Sequence, residues 1–259
     1  MRITALMENT TSRKDMLVEH GLSLYIETDS LRVLFDMGQS DGFLANAARL
    51  GIDLSTVDIA VLSHGHYDHG DGLPAFLAVN DRAPVYVSRH AFGDYYNASG
   101  KYIGLTQALR THPRLTLTDG TMTLAEGITL FSCHGMPCPF PPKNLGLTEK
   151  VGDAYIPDLF IHEQYLLIEE HGRRVLFSGC AHRGVLNIAT HFQPDVLVGG
   201  FHFSKLGTDD TLRSYADYLD TLHTAFYTCH CTGDAQYRFM KETMRRLHFL
   251  SCGETVSLP

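Results

Sequence analysis

The chain has 259 residues, 44% of them hydrophobic and 19% charged, enough to bury a sizeable core in one or two domains. Its 21 Lys and Arg against 29 Asp and Glu leave a formal charge of −8, a poor electrostatic funnel for a phosphate backbone, which argues against nucleic acid as the main partner. No apolar run reaches the ~18 residues of a membrane span, and residues 1–9 hold no stretch long enough for a signal peptide, so we expect a cytoplasmic protein with no membrane partner. The unusual numbers are 15 His, 6 Cys and no Trp. Six cysteines are too sparse for a disulfide framework, yet Cys133, Cys180 and Cys229 each lie within two residues of a histidine. That clustering raises metal binding or reactivity beside the ordinary reading of small buried side chains.

In chain order, the first predicted element is a β-hairpin over residues 26–35, two apolar runs around a short polar turn. A helix is expected over 42–50, then a strand over 58–62 that runs straight into Ser63-His64-Gly65-His66. Residues 136–144 hold four of the ten prolines and are expected to be an irregular loop. Residues 168–177 then repeat the first hairpin without gaps, with Ile, Glu, Arg, Val, Leu and Phe identical at six of ten positions. A helix-like stretch and a second strand over 195–198 follow, and this strand runs into Gly199-Gly200-Phe201-His202. Helices are expected over 211–225, where Leu212, Tyr215, Tyr218, Leu219 and Leu222 form one buried stripe, and over 235–247. The repeated order argues for two related halves, hence two sheets packed face to face with helices outside, in a single domain over residues 1–259.

The sharpest chemical signal is Ser63-His64-Gly65-His66-Tyr67-Asp68-His69-Gly70, three imidazoles and a carboxylate directly after an apolar strand. Imidazole nitrogen and carboxylate oxygen bind zinc, iron or manganese at about 2.0–2.2 Å. Alternate residues leaving a strand point to one side, so His64 and His66 can chelate one metal while Asp68 and His69 face a second. Two metals about 3.5–4 Å apart hold a bridging hydroxide as nucleophile and polarise the bond it attacks.

In this H-x-H-x-D-H pattern the sequence resembles the metallo-β-lactamase superfamily. The resemblance implies a four-layer αββα sandwich, an α/β fold with metals at the edge where both sheets end, which agrees with the two halves read above. Val33-Leu34-Phe35-Asp36-Met37-Gly38 is similar to the superfamily's first motif, whose aspartate supports the metal loop without binding metal. Glu19-His20-Gly21-Leu22-Ser23, Ser178-Gly179-Cys180-Ala181-His182-Arg183-Gly184, Gly199-Gly200-Phe201-His202 and His230-Cys231-Thr232-Gly233 extend the likeness along nearly the whole chain. Together they resemble the branch named after 7,8-dihydropterin-6-ylmethyl-4-(β-D-ribofuranosyl)aminobenzene 5′-phosphate synthase, most members of which are called metal-dependent hydrolases.

The resemblance implies that His230 joins Asp68 and His69 on the second metal. Two residues compete to complete the first metal with His64 and His66. His134 falls near the superfamily's third-motif histidine, whereas the branch uses the position of His182; we favour His182, which follows a strand ending at the same edge as His64. Cys180 stands where much of the superfamily has a bridging aspartate, so it either binds metal, as a soft ligand favouring zinc, or simply packs. His202, by the internal repeat, faces the same cleft and can hydrogen-bond a substrate anion or protonate a leaving group, while Asp68 serves as general base as well as ligand. Lys205 can add a positive charge, and of the remaining histidines only His20 belongs to a branch-like motif. The expected activity is therefore hydrolysis of a small-molecule phosphate ester, lactone or similar electrophile by metal-bound hydroxide, with two divalent ions, zinc first and manganese or iron as options. Two further readings remain: a pterin-related transferase, as the branch name implies, and an iron-dependent oxidoreductase. The oxidoreductases of the superfamily carry glutamate where this chain has His66, and an attached flavin domain for which 259 residues leave no room.

Overall fold

The computed structural model describes residues 1–258. The first half contains β1 (Arg2–Met7), β2 (Ser23–Glu27), β3 (Arg32–Phe35), α1 (Gly42–Arg49), β4 (Ile59–Leu62), α2 (Tyr67–Gly70), α3 (Leu73–Val79), β5 (Val85–Ser88), β6 (Asp94–Tyr96) and β7 (Leu115–Thr118). Then come β8 (Thr121–Ala125), β9 (Ile128–Ser132), β10 (Thr148–Val151), β11 (Ala154–Pro157), β12 (Gln164–Glu170) and β13 (Arg173–Phe177). The chain closes with α4 (Val185–Phe192), β14 (Val196–Gly199), α5 (Asp210–Thr221), β15 (Ala225–Thr228), α6 (Asp234–Lys241), β16 (Leu247–Phe249) and β17 (Thr255–Ser257). No helix among the described residues is long and apolar enough to cross a membrane.

Two seven-stranded sheets result, ordered β17-β1-β2-β3-β4-β5-β7 and β16-β15-β14-β13-β12-β9-β8. The internal repeat is preserved in register. Ile26 opposes Val33 and Ile168 opposes Val175 in matching antiparallel hairpins, and each hairpin hands on to a parallel strand, β3 to β4 and β13 to β14. Strand alternation then divides the side chains between two layers. Val33, Phe35, Val175 and Phe177 fill the core between the sheets, where the equivalent Phe35 and Phe177 rings lie 5.9 Å apart. Leu34 points the other way, under Phe43 of α1 and Phe76 of α3. Leu176 does the same under Val185 and Ile188 of α4 and Leu212, Ala216 and Leu219 of α5. The architecture is thus a four-layer αββα sandwich of α/β class.

Two expected helices end early. Helix α5 stops at Thr221 instead of continuing to 225, because Ala225–Thr228 is taken into the parallel ladder beside β14. Its start is fixed by Asp209, whose carboxylate accepts from the N–H groups of Thr211 and Leu212 at 3.0 and 3.2 Å. Likewise α6 ends at Lys241, and Leu247 pairs with Phe226 as strand. Ladder pairing overrides helical spacing in both places. Residues 136–144 form no regular element, as their prolines require. A small sheet that the apolar pattern did not announce, β11-β10-β6, stands beside the sandwich; Asn97, next to β6, and Leu147, next to β10, reach the functional cleft.

Candidate metal centre

The strands of the two halves end at one edge of the sandwich, and the loops leaving β4, β13, β14 and β15 meet there. The turn after β4 delivers His64 and His66, and α2 carries Asp68 and His69 on consecutive positions. Donor atoms of His64, His66 and His182 lie within 4.8 Å of one another, with His182 Nε2 3.3 Å from His64 Nε2. Beside them, His69 Nε2 lies 3.2 Å from His230 Nε2, and Asp68 Oδ2 lies 3.2 Å from His230 Nε2. All six side chains are buried. His134, the competitor for the first triad, is exposed on the loop after β9, whereas His182 is buried against His64.

A buried outer layer sets the tautomers. Asp36, at φ 60° between β3 and α1, accepts from Ser63 N at 2.7 Å, Ser63 Oγ at 2.8 Å and His69 Nδ1 at 2.7 Å. Ser63 Oγ is in turn 2.8 Å from His64 Nδ1, so both imidazoles spend Nδ1 on this network and keep Nε2 for the cluster. This is the supporting aspartate that the first motif implied. On the other side, Asn9 Oδ1 accepts from His230 Nδ1 at 2.8 Å, and Glu8 Oε1 accepts from the His230 backbone N–H at 2.6 Å. Glu163 accepts from the backbone N–H groups of His182 and Arg183 at 2.7 and 3.0 Å and holds the loop after β13. His66 turns Nε2 toward Asp158 Oδ2, 4.0 Å away, and His162 shares that oxygen at 3.1 Å.

Charge separates the two triads. Burial and the neighbouring imidazoles hold His64 and His182 well below the ordinary histidine range and His66 at about 3, so all three are neutral, as ligands must be. Burial opposes charge on His69 as well, but the Asp36 and Asp68 carboxylates outweigh it and raise it to about 9. Burial likewise opposes charge on Asp68, where His69 and the hydrogen bonds from His20 and His230 prevail and keep the carboxyl well below its usual range. Without a cation, a proton on His69 fills the place that the surrounding carboxylates prepare for positive charge.

The cluster opens into a cleft of about 640 Å³ lined by Tyr67, Asn97, Ile103, Leu147, Ser204 and Lys205 around the imidazoles. His202 lies on its wall, half-buried at φ 57°, with its ring centroid 4.3 Å from that of His182. Glycine is required just before it. A Cβ on Gly200 would meet Cys231 Sγ at 2.4 Å, and Gly199 sits at φ 142° against the Ser178 carbonyl. His20 is half-exposed at the mouth, with Nε2 3.2 Å from Asp68 Oδ2. Cys180 is buried with Sγ 3.2 Å from His69 Nε2. Asn9, Glu8, Asp158, His162 and Glu163 were not singled out by spacing; they reach the site from segments away from the histidine motifs and carry no local pattern.

The fold and the clustered donors agree with the family model of the metallo-beta-lactamase superfamily, which matches residues 17–221: the chain belongs to this superfamily. Among its relatives is an uncharacterized protein of Methanocaldococcus jannaschii, 28% identical over 244 residues, which cover 89% of this chain and 90% of that protein. The 7,8-dihydropterin-6-methyl-4-(beta-D-ribofuranosyl)-aminobenzene-5'-phosphate synthase of the same organism is 26% identical over 258 residues, 89% of this chain and 88% of the synthase. Among solved structures, a metal-dependent hydrolase of the beta-lactamase superfamily superposes with a TM-score of 0.82 at 28% identity, covering 100% of this chain and 99% of the other.

Proposed function

We propose that the protein is a metal-dependent hydrolase acting on a small molecule, with two divalent ions held by His64, His66 and His182 and by Asp68, His69 and His230. The observation that carries this reading is the convergence of three neutral, buried imidazoles within 4.8 Å. A nitrogen-rich set with one carboxylate suits zinc best, with manganese or iron as alternatives. Bound ions at this place supply Lewis acidity to the electrophile and to the attacking water.

The chain's own residues supply the rest. Asp68 is held ionised by His20 and His230, so it can accept a proton from the attacking water. His202, across the cleft, can return a proton to the leaving oxygen, so that water adds across the broken bond as one new hydroxyl on each product. Lys205 is the one ammonium on the cleft wall, and it favours a phosphate ester or another substrate with a negative charge near the reacting bond. The concave cleft, in which Tyr67, Ile103 and Leu147 surround the polar centre, suits a small molecule, and the net charge of −8 disfavours nucleic acid. The test is to load the purified protein with zinc, count metals per chain, and assay aryl phosphates and lactones. His66→Ala and Asp68→Ala are expected to keep the fold and lose metal and turnover; full turnover in a metal-stripped variant would sink the mechanism.

The likeness to the synthase favours a second reading, a transferase using an aminobenzene nucleophile in place of water on the same centre. Product analysis with and without an aminobenzene acceptor separates the two.

A further inference from the structure

Two buried thiols beside the histidine centre belong to neither triad. Cys180 lies three residues past β13, and Cys231 lies in the single turn His230–Thr232 that follows β15. Both line the cleft, and their sulfurs together with a ring nitrogen of His202 lie within 4.8 Å of one another. The backbone is bent to bring them there: His202 and His230 both adopt left-handed conformations, at φ 57° and 49°, which non-glycine residues hold only at some cost. Gly200 leaves the space that Cys231 Sγ occupies. The His202 backbone N–H donates to Cys231 Sγ at 3.2 Å, a contact that favours thiolate. His202 Nδ1 is itself buried with no hydrogen-bond partner, an orphan that a ligand would satisfy.

We propose that Cys180, Cys231 and His202 form a third metal site of two sulfurs and one nitrogen, next to the histidine centre, which takes a thiophilic divalent ion, zinc first; with that ion bound His202 is a ligand, and the leaving-group proton that an unbound His202 supplies comes from solvent water instead. Tetrahedral zinc with sulfur near 2.3 Å and nitrogen near 2.0–2.1 Å sets its ligand atoms about 3.5–3.8 Å apart, within reach of the observed cluster by small rotamer changes. Each thiol releases its proton to solvent on binding, so two thiolates and a neutral imidazole leave a divalent ion with no net charge, which suits a buried position. Cys180 also touches His69 Nε2, so the new site shares an edge with the second triad.

The test uses the full chain, purified under reductant and loaded with zinc or, for spectroscopy, cobalt. Wild type is expected to hold three ions per chain and to show sulfur-to-cobalt charge-transfer absorption in the near ultraviolet. Cys231→Ser should hold two ions and lose that absorption, since the third ion leaves with its site and the histidine centre offers no sulfur. His202→Gln is the second variant, because His202 is only half-buried and its loss is less apt to disturb folding; it should also hold two ions and lose the charge-transfer bands. Equal ion counts and unchanged absorption in wild type and both variants would overturn the proposal, as would wild type holding two ions with no thiolate absorption. The proposal goes beyond the histidine centre, whose own failure is distinguishable: wild type would then hold a single ion with thiolate absorption, and Cys231→Ser none.

Discussion

The two donor triads sit side by side but are built on opposite electrostatic plans. His64, His66 and His182 form a set with no carboxylate among its members, and burial keeps all three neutral. Asp68, His69 and His230 contain one carboxylate and lean on a second, Asp36, which together hold a proton on His69 up to about pH 9. On the function proposed, an ion on the first triad would keep its full positive charge and draw an anion, while one on the second would be largely neutralised and would anchor the loop. Affinity would then reside mainly in the second triad and electrophilic power in the first.

Asp36 is the member that both plans share, so removing it breaks the comparison most severely. Asp36→Ala leaves Ser63 N, Ser63 Oγ and His69 Nδ1 without their acceptor in a fully buried position. The expected loss is about 3 kcal/mol of stability or more, with both ions, read by thermal unfolding and metal analysis. A variant of normal stability that still binds two ions would show that the triads are independently supported.

Single-ligand variants sharpen the contrast next. His182→Ala is expected to lose one ion and turnover by more than about a hundredfold, exceeding what outer-layer changes cost. His134→Ala, on the exposed loop, is expected to leave both unchanged. If His134→Ala were the one to lose metal, the assignment of the first triad would be wrong. Glu163→Gln tests the support behind His182: the amide keeps the shape but its single oxygen accepts from only one of the two backbone N–H groups and its NH2 faces the other, so ion affinity at the first triad should fall by about tenfold while the second is unaffected. Competitive titration with a chromophoric chelator separates the two sites.

Much of this was legible before the structure. The hairpin repeat showed in ten aligned residues because both copies bury alternate faces against the same two layers, and burial on both sides constrains every position. His64, His66, Asp68 and His69 were visible because a tight turn after a strand places their donors within six residues of one another. The supporting layer was hidden for the opposite reason. Asn9 reaches His230 across 221 residues, and Glu163 reaches His182 and Arg183 across 19 and 20; a lone Asn or Glu carries no spacing. His162 has no spacing that singles it out, and it is fully buried, because Asp158 and the Gly65 N–H take up both ring nitrogens. Helix ends were misjudged where strand pairing claimed Ala225 and Leu247, a tertiary effect with no local signature.

The mildest expected effect falls on Asn9, and it isolates the outer layer of the second triad from its ligands. The Asn9 amide accepts from His230 Nδ1 at 2.8 Å and from Gly21 N at 3.3 Å, and its NH2 group lies 3.5 Å from His20 Nδ1. One side chain thus orients both imidazoles that flank Asp68, keeping His230 Nε2 free for metal. Asn9→Ala removes no ligand and no charge, so it should leave ion number at two in the histidine centre while weakening the second ion by about tenfold. Asn9→Asp should restore much of that affinity, because a carboxylate accepts from His230 Nδ1 at least as well as an amide does. Equal affinity in wild type and Asn9→Ala would mean that the Glu8 contact to the His230 backbone alone holds the ligand, and that the second triad owes its strength to Asp36 and Asp68.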